Sequence, residues 1–330
     1  MSAAVTPHSV WQRAPAPPRL VSVSRRTDVP AFYGDWFMRR LAAGFAGWEH
    51  PFNGRRLLVS MRRPDVWCLA FWSKNFRPFL PHLRTLRAEG WPCFLNGTIT
   101  GLPPEFEAHA PPTVDALDSL AEVAALFSPD HVNWRYDPIL LSDRTPAGWH
   151  RERFAALAGA LEGKTRRCIV SFVARYPKVA RNLATFERQQ GLRVDEPGPE
   201  VRRALAAELA AIAVSRGMTF HACCNPELVG GPVLPAACLD AVTIGRLYPE
   251  AAAARPPHAP TRPGCGCARC TDIGRYDTCP HGCVYCYANA NRPAANTRHA
   301  AHDADSPFLG RTRLESERFL AGMPAEARPR

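Results

Sequence analysis

The 330-residue sequence has no run of roughly eighteen apolar residues, so no segment predicts a membrane-spanning helix. Its first residues lack a basic head followed by an apolar stretch, so we expect no secretory signal. Lysine is scarce, and nearly all the basic residues are arginine. We therefore expect a cytoplasmic protein that does not bind a membrane.

The formal net charge is +11, which would attract a phosphate-rich partner such as a nucleic acid. The arginines are spread along the chain, however, and the sequence is also rich in alanine and proline. This combination is typical of a compositional bias of a whole genome. Charge alone therefore does not indicate nucleic-acid binding.

Short apolar runs rich in β-branched and aromatic residues alternate with longer segments whose apolar residues recur every three or four positions. The predicted strands are Leu20–Ser24, Val66–Trp72, Cys93–Ile99, His131–Tyr136, Cys168–Val173 and Met218–Cys223, with a weaker run at Ala241–Ile244. The alternation predicts an α/β fold, a (β/α) barrel or partial barrel of about six parallel strand–helix units. A doubly wound open sheet is the alternative.

Composition divides the chain into four parts. Residues 1–19 predict a flexible tail, and residues 20–250 form the partial barrel with a β-hairpin inserted near 45–61. Residues 251–290 combine a linker with a cysteine-rich segment that we expect to bind a cluster and pack on the barrel mouth. Residues 291–330 predict a mostly mobile tail.

Charged and amide side chains follow several of the predicted strands. Loops are commonly polar, but their usual residues are Gly, Ser, Asn and Pro rather than repeated Arg and Asp. Because parallel strands end at one mouth, these groups should converge, and their arginines suit a carboxylate or phosphate. The candidate binding residues are Arg25, Arg26, Asp28, Lys74, Asn75, Arg135 and Asp137.

Six of the twelve cysteines lie between Cys265 and Cys286. Clustered cysteines in a reducing cytosol more often bind metal than form disulfides. Cys279, Cys283 and Cys286 have the spacing C-x3-C-x2-C, which supplies three ligands to a four-iron cluster and leaves one iron open. We therefore expect a [4Fe-4S] cluster on these three residues.

This motif, with the aromatic Tyr285 before its last cysteine, resembles that of radical S-adenosylmethionine enzymes. The resemblance implies that the open iron binds S-adenosylmethionine and that Tyr285 lies near its adenine. Those enzymes usually carry the motif after the first strand and a Gly-Gly-Glu block after the second, whereas here the motif follows the sixth unit and no such block is evident.

The chain also resembles the bacterial family catalogued as domain of unknown function 1848. The blocks that carry this resemblance are Ser24–Tyr33, Phe71–Asn75, Trp134–Ile139 and Asp272–Asn289, within roughly residues 20–310. The resemblance implies a cluster but no particular substrate.

The remaining cysteines allow several interpretations. One interpretation is a second metal site, holding zinc or a second cluster, with ligands from Cys265, Cys267, Cys270, Cys223 and Cys224. The other is that these residues are unoccupied thiols. Cys68, Cys93 and Cys168 lie in apolar runs and predict core positions, whereas the role of Cys238 stays open.

Three functions remain in competition. The first is a radical S-adenosylmethionine-type enzyme, with an unknown small-molecule or nucleic-acid-derived substrate and an electron donor such as flavodoxin or ferredoxin. The second is a zinc-stabilised nucleic-acid-binding protein, although zinc ribbons usually pair two C-x2-C knuckles. The third is an electron carrier or redox sensor that does not use S-adenosylmethionine.

Overall fold

A computed structural model describes residues 17–50 and 53–322 of the chain. The strands are β1 (Arg19–Val23), β2 (Phe45–Glu49), β3 (Arg56–Ser60), β4 (Val66–Ser73), β5 (Cys93–Thr98), β6 (Val132–Ile139), β7 (Arg167–Phe172), β8 (Thr219–Ala222), β9 (Val233–Pro235) and β10 (Cys270–Asp272). The helices are α1 (Val29–Phe32), α2 (Gly34–Ala43), α3 (Leu80–Ala88), α4 (Thr113–Leu126), α5 (Ala147–Ala160), α6 (Pro177–Gln190), α7 (Pro199–Ser215), α8 (Ala241–Leu247), α9 (Arg292–Ala300) and α10 (Arg313–Ala321).

Eight strands form one parallel sheet in the order β10-β1-β4-β5-β6-β7-β8-β9. This arrangement confirms the predicted α/β fold and its six principal strands. The sheet is open, because β9 and β10 are its edges in the described part of the chain, so a closed barrel is wrong. Strands β2 and β3 pair antiparallel as a separate hairpin.

The sequence analysis did not predict two of the short strands, and one segment that it predicted as a strand is a helix. The edge strands β9 and β10 have three residues each, too few to show a periodic pattern. The run predicted as a strand at Ala241–Ile244 begins α8 instead. The Asp240 side chain accepts hydrogen bonds from the backbone N–H groups of Val242 and Thr243, which caps this helix at its N-terminus.

The central strands are buried on both faces, as parallel strands covered by helices should be. All eight residues of β4 are buried. On one side, Phe37 of α2 packs edge-on against Phe71 of β4, with ring centroids 5.4 Å apart. Further along the sheet, Trp134 of β6 stacks on Phe154 of α5 at 4.8 Å. The helices therefore fix the sheet through large aromatic contacts.

The C-terminal residues differ from the loose tail that we expected. Helices α9 and α10 lie within residues 291–322, and Phe308 and Leu309 between them are buried. The Trp36 indole donates a hydrogen bond to the Ser306 carbonyl at 2.8 Å, and the Gly47 N–H donates to the Pro307 carbonyl at 2.8 Å. Much of the N-terminal tail predicted at residues 1–19, and the end of the C-terminal one, lie outside the described residues.

Among the helices of residues 17–50 and 53–322, none combines the length and apolar character needed to cross a bilayer.

We predict that Gly97→Ala destabilises the protein by about 1–3 kcal/mol, because the added methyl group overpacks the contact between β5 and α4. An ideal Cβ at Gly97 would lie 2.5 Å from Cδ1 of Leu120, which is buried and cannot move aside freely. Urea unfolding measures the change. Gly159→Ala is the control, because its Cβ meets open space near the end of α5, and equal destabilisation by both variants would contradict the prediction.

Candidate functional site

The carboxyl ends of β1, β4, β5 and β6 meet at one edge of the sheet, because these strands are parallel neighbours. The cysteine loop, residues 278–289, lies across this edge. We call the polar region between the strand ends and this loop the mouth. It brings together most, but not all, of the residues predicted from the sequence.

Asp28 connects three segments of the mouth from a buried position. Its carboxylate caps α1 by accepting a hydrogen bond from the Ala31 N–H at 3.0 Å. It also accepts from the Ser73 hydroxyl at 2.7 Å and from the Lys74 N–H at 2.8 Å, both at the end of β4. On its other side, Oδ2 lies 2.7 Å from Nε2 of His281 in the cysteine loop. Asp28 therefore positions the loop against the sheet.

Glu107 is the second buried carboxylate, and the sequence prediction missed it. It forms an ion pair with Lys74, with Nζ and Oε1 2.8 Å apart, and accepts a hydrogen bond from the Thr100 hydroxyl at 2.8 Å. The Tyr285 hydroxyl donates to the same oxygen. Burial would raise the pKa of Glu107, but the positive charge of Lys74 lowers it on balance, so the carboxylate stays ionised.

Asp272 of β10 is a third carboxylate at the mouth, half-buried, and was also missed as a site residue. It accepts hydrogen bonds from the Ser22 hydroxyl at 2.6 Å and from the Arg25 N–H at 2.7 Å, and Nε of Arg26 donates at 3.1 Å. Burial would raise its pKa, but the two arginines lower it on balance. These bonds fix the loop after β1, while the Arg25 guanidinium also donates to Sγ of Cys270 at 2.9 Å.

Arg135 and Asp137 form a half-buried ion pair at the end of β6. The Ser171 hydroxyl of β7 donates to the same carboxylate. A second guanidinium nitrogen of Arg135 donates to Sγ of Cys238 at 2.9 Å. Burial would raise the pKa of Asp137, but Arg135 lowers it on balance.

Asn75 has a local role. Its side-chain oxygen accepts a hydrogen bond from the Arg77 N–H at 3.1 Å, and its own N–H donates to the Ser73 hydroxyl at 2.8 Å. These bonds shape the turn after β4. The structure therefore places Asn75 beside the mouth as a turn residue.

The cysteine loop carries Cys279, Cys283 and Cys286, all unpaired by disulfides. Burial raises the pKa of each thiol, to about 12 for Cys283, although Lys74 lowers that of Cys283. A desolvated thiol releases its proton readily only when a metal cation or a strong positive charge stabilises the thiolate. In the described residues, no three His, Cys, Asp or Glu side chains converge tightly enough for one metal ion. Thiolate sulfur is a soft ligand of the kind that both iron–sulfur clusters and zinc bind.

Backbone pairing fixes the first half of this loop. The Val284 N–H donates to the Phe106 carbonyl at 3.0 Å, and the His109 N–H donates to the His281 carbonyl at 3.0 Å. Residues 106–109 follow β5, so the loop is attached to the same strand ends that form the mouth. The loop is therefore held by hydrogen bonds at several points along its length.

Side-chain bonds fix its ends. The Tyr33 hydroxyl donates to the Thr278 carbonyl at 2.6 Å, and the Asn289 amide donates to the Cys279 carbonyl at 2.6 Å. The Tyr287 hydroxyl donates to the Arg25 carbonyl at 2.7 Å. The cysteines are therefore presented by a rigid segment, as a preorganised site requires.

The other cysteines lie in three places. Cys223, Cys224, Cys265 and Cys267 group together with Cys238 at the edge of the sheet beyond β8 and β9. Cys270 faces Arg25 instead. Cys68, Cys93 and Cys168 are buried within β4, β5 and β7, as predicted for core residues.

A small cleft of about 10 Å³ lies beyond the ends of β6 and β7. Ile139 and Phe172 line it, two residues after Asp137 and one residue after Ser171, and Arg175 pairs there with Glu196, with Nε and Oε2 3.4 Å apart. The cleft therefore adjoins the mouth on the side of the Arg135–Asp137 pair.

Comparison with protein families gives one match. The model of the family described as Domain of unknown function (DUF1848) matches residues 20–288. The chain belongs to the DUF1848 family. No curated protein and no solved structure shows a significant match to this DUF1848 chain. The matched range includes the whole mouth and nearly all of the cysteine loop.

We predict that Glu107→Gln destabilises the chain by about 3 kcal/mol or more, because it leaves the Lys74 ammonium buried without its counter-charge. Urea unfolding of the protein measures the loss. Glu122→Gln is the matched control, since Glu122 pairs with Arg84 at the surface and its loss should cost less than about 1 kcal/mol. The assignment of Glu107 as the counter-ion would be wrong if the two variants unfolded at the same urea concentration.

Proposed function

We propose that the DUF1848 chain holds a [4Fe-4S] cluster on Cys279, Cys283 and Cys286 and performs radical S-adenosylmethionine-type chemistry at the mouth. The observation that carries this proposal is the position of the cysteine loop. It lies across the carboxyl ends of parallel strands, where active sites of such folds collect, and Asp28 and Glu107 attach it there. When bound, such a cluster supplies the electron that cleaves S-adenosylmethionine reductively.

The positive charges around the cysteine loop favour the binding of an anionic group. Burial raises the pKa of Cys283 and Cys286, and Lys74 offsets part of that rise at both thiols, as Lys178 does at Cys286. These positive charges stabilise the thiolate forms that metal binding requires. The ion pair with Glu107 holds the Lys74 ammonium group at the mouth whether or not a ligand is bound.

We propose that Tyr285 lies beside the adenine of bound S-adenosylmethionine. Its hydroxyl is held by Glu107, and its ring lies 5.8 Å from Nζ of Lys74. The ring is therefore fixed between two cysteines of the motif and the positive charge of the mouth. A flat, anchored aromatic side chain is suited to stacking on a purine.

The arginines divide into two roles. Arg26 uses its guanidinium on Asp272 and on the Glu49 carbonyl, so it positions the loop after β1. Arg25 and Arg135 each direct one guanidinium nitrogen at a cysteine sulfur, Cys270 and Cys238 respectively. A guanidinium has five N–H donors, so these two residues are the candidates for binding the carboxylate of the cosubstrate.

The substrate we propose is a small molecule or a nucleic-acid-derived compound that binds at the mouth beside the cysteine loop. The electron donor would be a flavodoxin or ferredoxin of the cytoplasm. These assignments extend the main proposal and depend on it.

The test is electron paramagnetic resonance of the reduced protein, reconstituted under argon, with and without S-adenosylmethionine. We expect a cluster signal that shifts on addition of S-adenosylmethionine, together with formation of 5′-deoxyadenosine. Cys279→Ala, Cys283→Ala and Cys286→Ala, made singly, should each abolish the shifting signal. Cys168→Ala, at a buried core cysteine of β7, is the control and should keep it.

Two results would contradict the proposal at different levels. Single alanine variants that leave the signal and iron content unchanged would reject the cluster on this loop. An intact cluster that neither shifts with S-adenosylmethionine nor yields 5′-deoxyadenosine would reject the radical chemistry and favour an electron carrier.

A further inference from the structure

Two thiols from separate segments lie in contact at the edge of the sheet. Cys223 follows β8 and Cys238 follows β9, and their Sγ atoms are 3.8 Å apart. The segments are fixed beside each other, because Ala222 pairs with Pro235 and the Ala236 N–H donates to the Ala222 carbonyl at 3.0 Å. Both cysteines are free of disulfides. The two sulfurs therefore face each other as a reduced pair, which we call the dithiol.

The geometry favours a bond within the dithiol over a bond to the neighbouring cysteine. Sγ of Cys224 also lies 3.8 Å from Sγ of Cys223. A disulfide between consecutive residues would close a small ring and distort the peptide between them, which makes such a bond strained. Cys238 lies on a different segment, so its sulfur bonds to that of Cys223 after a small side-chain movement. Cys238 is therefore the preferred partner.

Each sulfur of the dithiol has a guanidinium group beside it. Arg135 donates a hydrogen bond to Sγ of Cys238 at 2.9 Å, and Arg262 donates to Sγ of Cys223 at 3.9 Å. Cysteine reacts as the thiolate, and a neighbouring positive charge stabilises that form. Burial opposes the negative charge at both sulfurs, and the guanidinium groups offset part of that cost. The surroundings of the dithiol therefore assist a reaction in which sulfur carries negative charge.

The dithiol reaches solvent beside Cys224. Cys223 and Cys238 are buried, whereas Cys224 is half-buried. An oxidant that approaches Cys223 past this residue must be small. Hydrogen peroxide meets this requirement, and it oxidises thiolates to sulfenic acids, which condense with a second thiol. A small peroxide is therefore the class of oxidant that suits this site.

We propose that Cys223 and Cys238 are an oxidative modification site, a dithiol that a small peroxide converts reversibly to a disulfide. First, the Cys223 sulfur attacks one peroxide oxygen and the O–O bond breaks, which leaves a sulfenic acid while the other oxygen departs as water with the thiol proton. The Cys238 sulfur then attacks the Cys223 sulfur, and the hydroxyl group leaves as a second water with the Cys238 proton. The two sulfurs together lose two electrons, which the peroxide gains.

The disulfide would affect two parts of the molecule. Cys238 follows β9, so a bond to Cys223 would tie the end of this three-residue edge strand to the end of β8. Arg135 donates with one nitrogen to Cys238 and with another to Asp137, so the redox state of the dithiol also reaches the ion pair at the mouth. The proposal does not depend on the cluster or on S-adenosylmethionine chemistry.

The test exposes the full chain, purified under argon with an iron chelator, to hydrogen peroxide. We expect the thiols of Cys223 and Cys238 to be lost to alkylation after peroxide and to return after reduction with dithiothreitol. Glu227 lies between the two cysteines, so cleavage after glutamate places them on separate peptides that only a disulfide keeps together. Mass spectrometry of the digest under non-reducing conditions identifies the linked peptides.

Three variants assign the bond. Cys224→Ser should still give the linked peptides, and Cys223→Ser should not. Cys68→Ala is the matched control, because Cys68 is buried in the same apolar cluster as the dithiol, and it should behave as the wild type.

Three results would overturn the proposal. In the first, Cys223 and Cys238 of the wild type remain open to alkylation after peroxide. In the second, the linked peptides form equally in Cys223→Ser. In the third, zinc or iron copurifies with the wild type and is lost from folded Cys238→Ser, because the sulfurs would then be metal ligands.

Discussion

The mouth of this protein depends on the pairing of buried and half-buried carboxylates. Asp28, Glu107, Asp137 and Asp272 all lie where the parallel strands end, and each bonds to groups from more than one segment. A charge removed from water is stable only with a partner of opposite sign and with its hydrogen bonds satisfied. The loops therefore have little freedom, because moving any one of them would leave a buried charge unpaired.

This constraint also explains why net charge is a poor guide to the partners of the chain. Several arginines that contribute to the +11 charge are internal: Arg25 and Arg26 face Asp272, and Arg135 faces Asp137. Their guanidinium groups hold the loops in place, and those of Arg25 and Arg135 donate hydrogen bonds to cysteine sulfurs. A sequence count cannot separate such residues from those on the surface, because the pairing depends on segments far apart in the chain.

Strands were predictable where burial on both faces makes a continuous apolar run, as in β4, where every residue is buried. The same criterion failed at Ala241–Ile244, because four apolar residues fit a strand or a buried helix equally well and Asp240 decides for the helix. Asp272 was missed because β10 has only three residues, although it begins the Asp272–Asn289 block that resembles the family. Glu107 was missed because it lies in the loop well beyond the end of β5.

The pairing of β10 with β1 explains how a motif near the end of the chain reaches the first strand. The register places Leu20 opposite Cys270 and Ser22 opposite Asp272, in parallel orientation. The loop after β10 therefore leaves the sheet beside the loop after β1, where enzymes of the type that the motif resembles carry their cysteines. The same short strand separates Cys265 and Cys267, which precede it, from the cysteine loop, which follows it. One three-residue strand thus sets the position of both cysteine groups relative to the sheet.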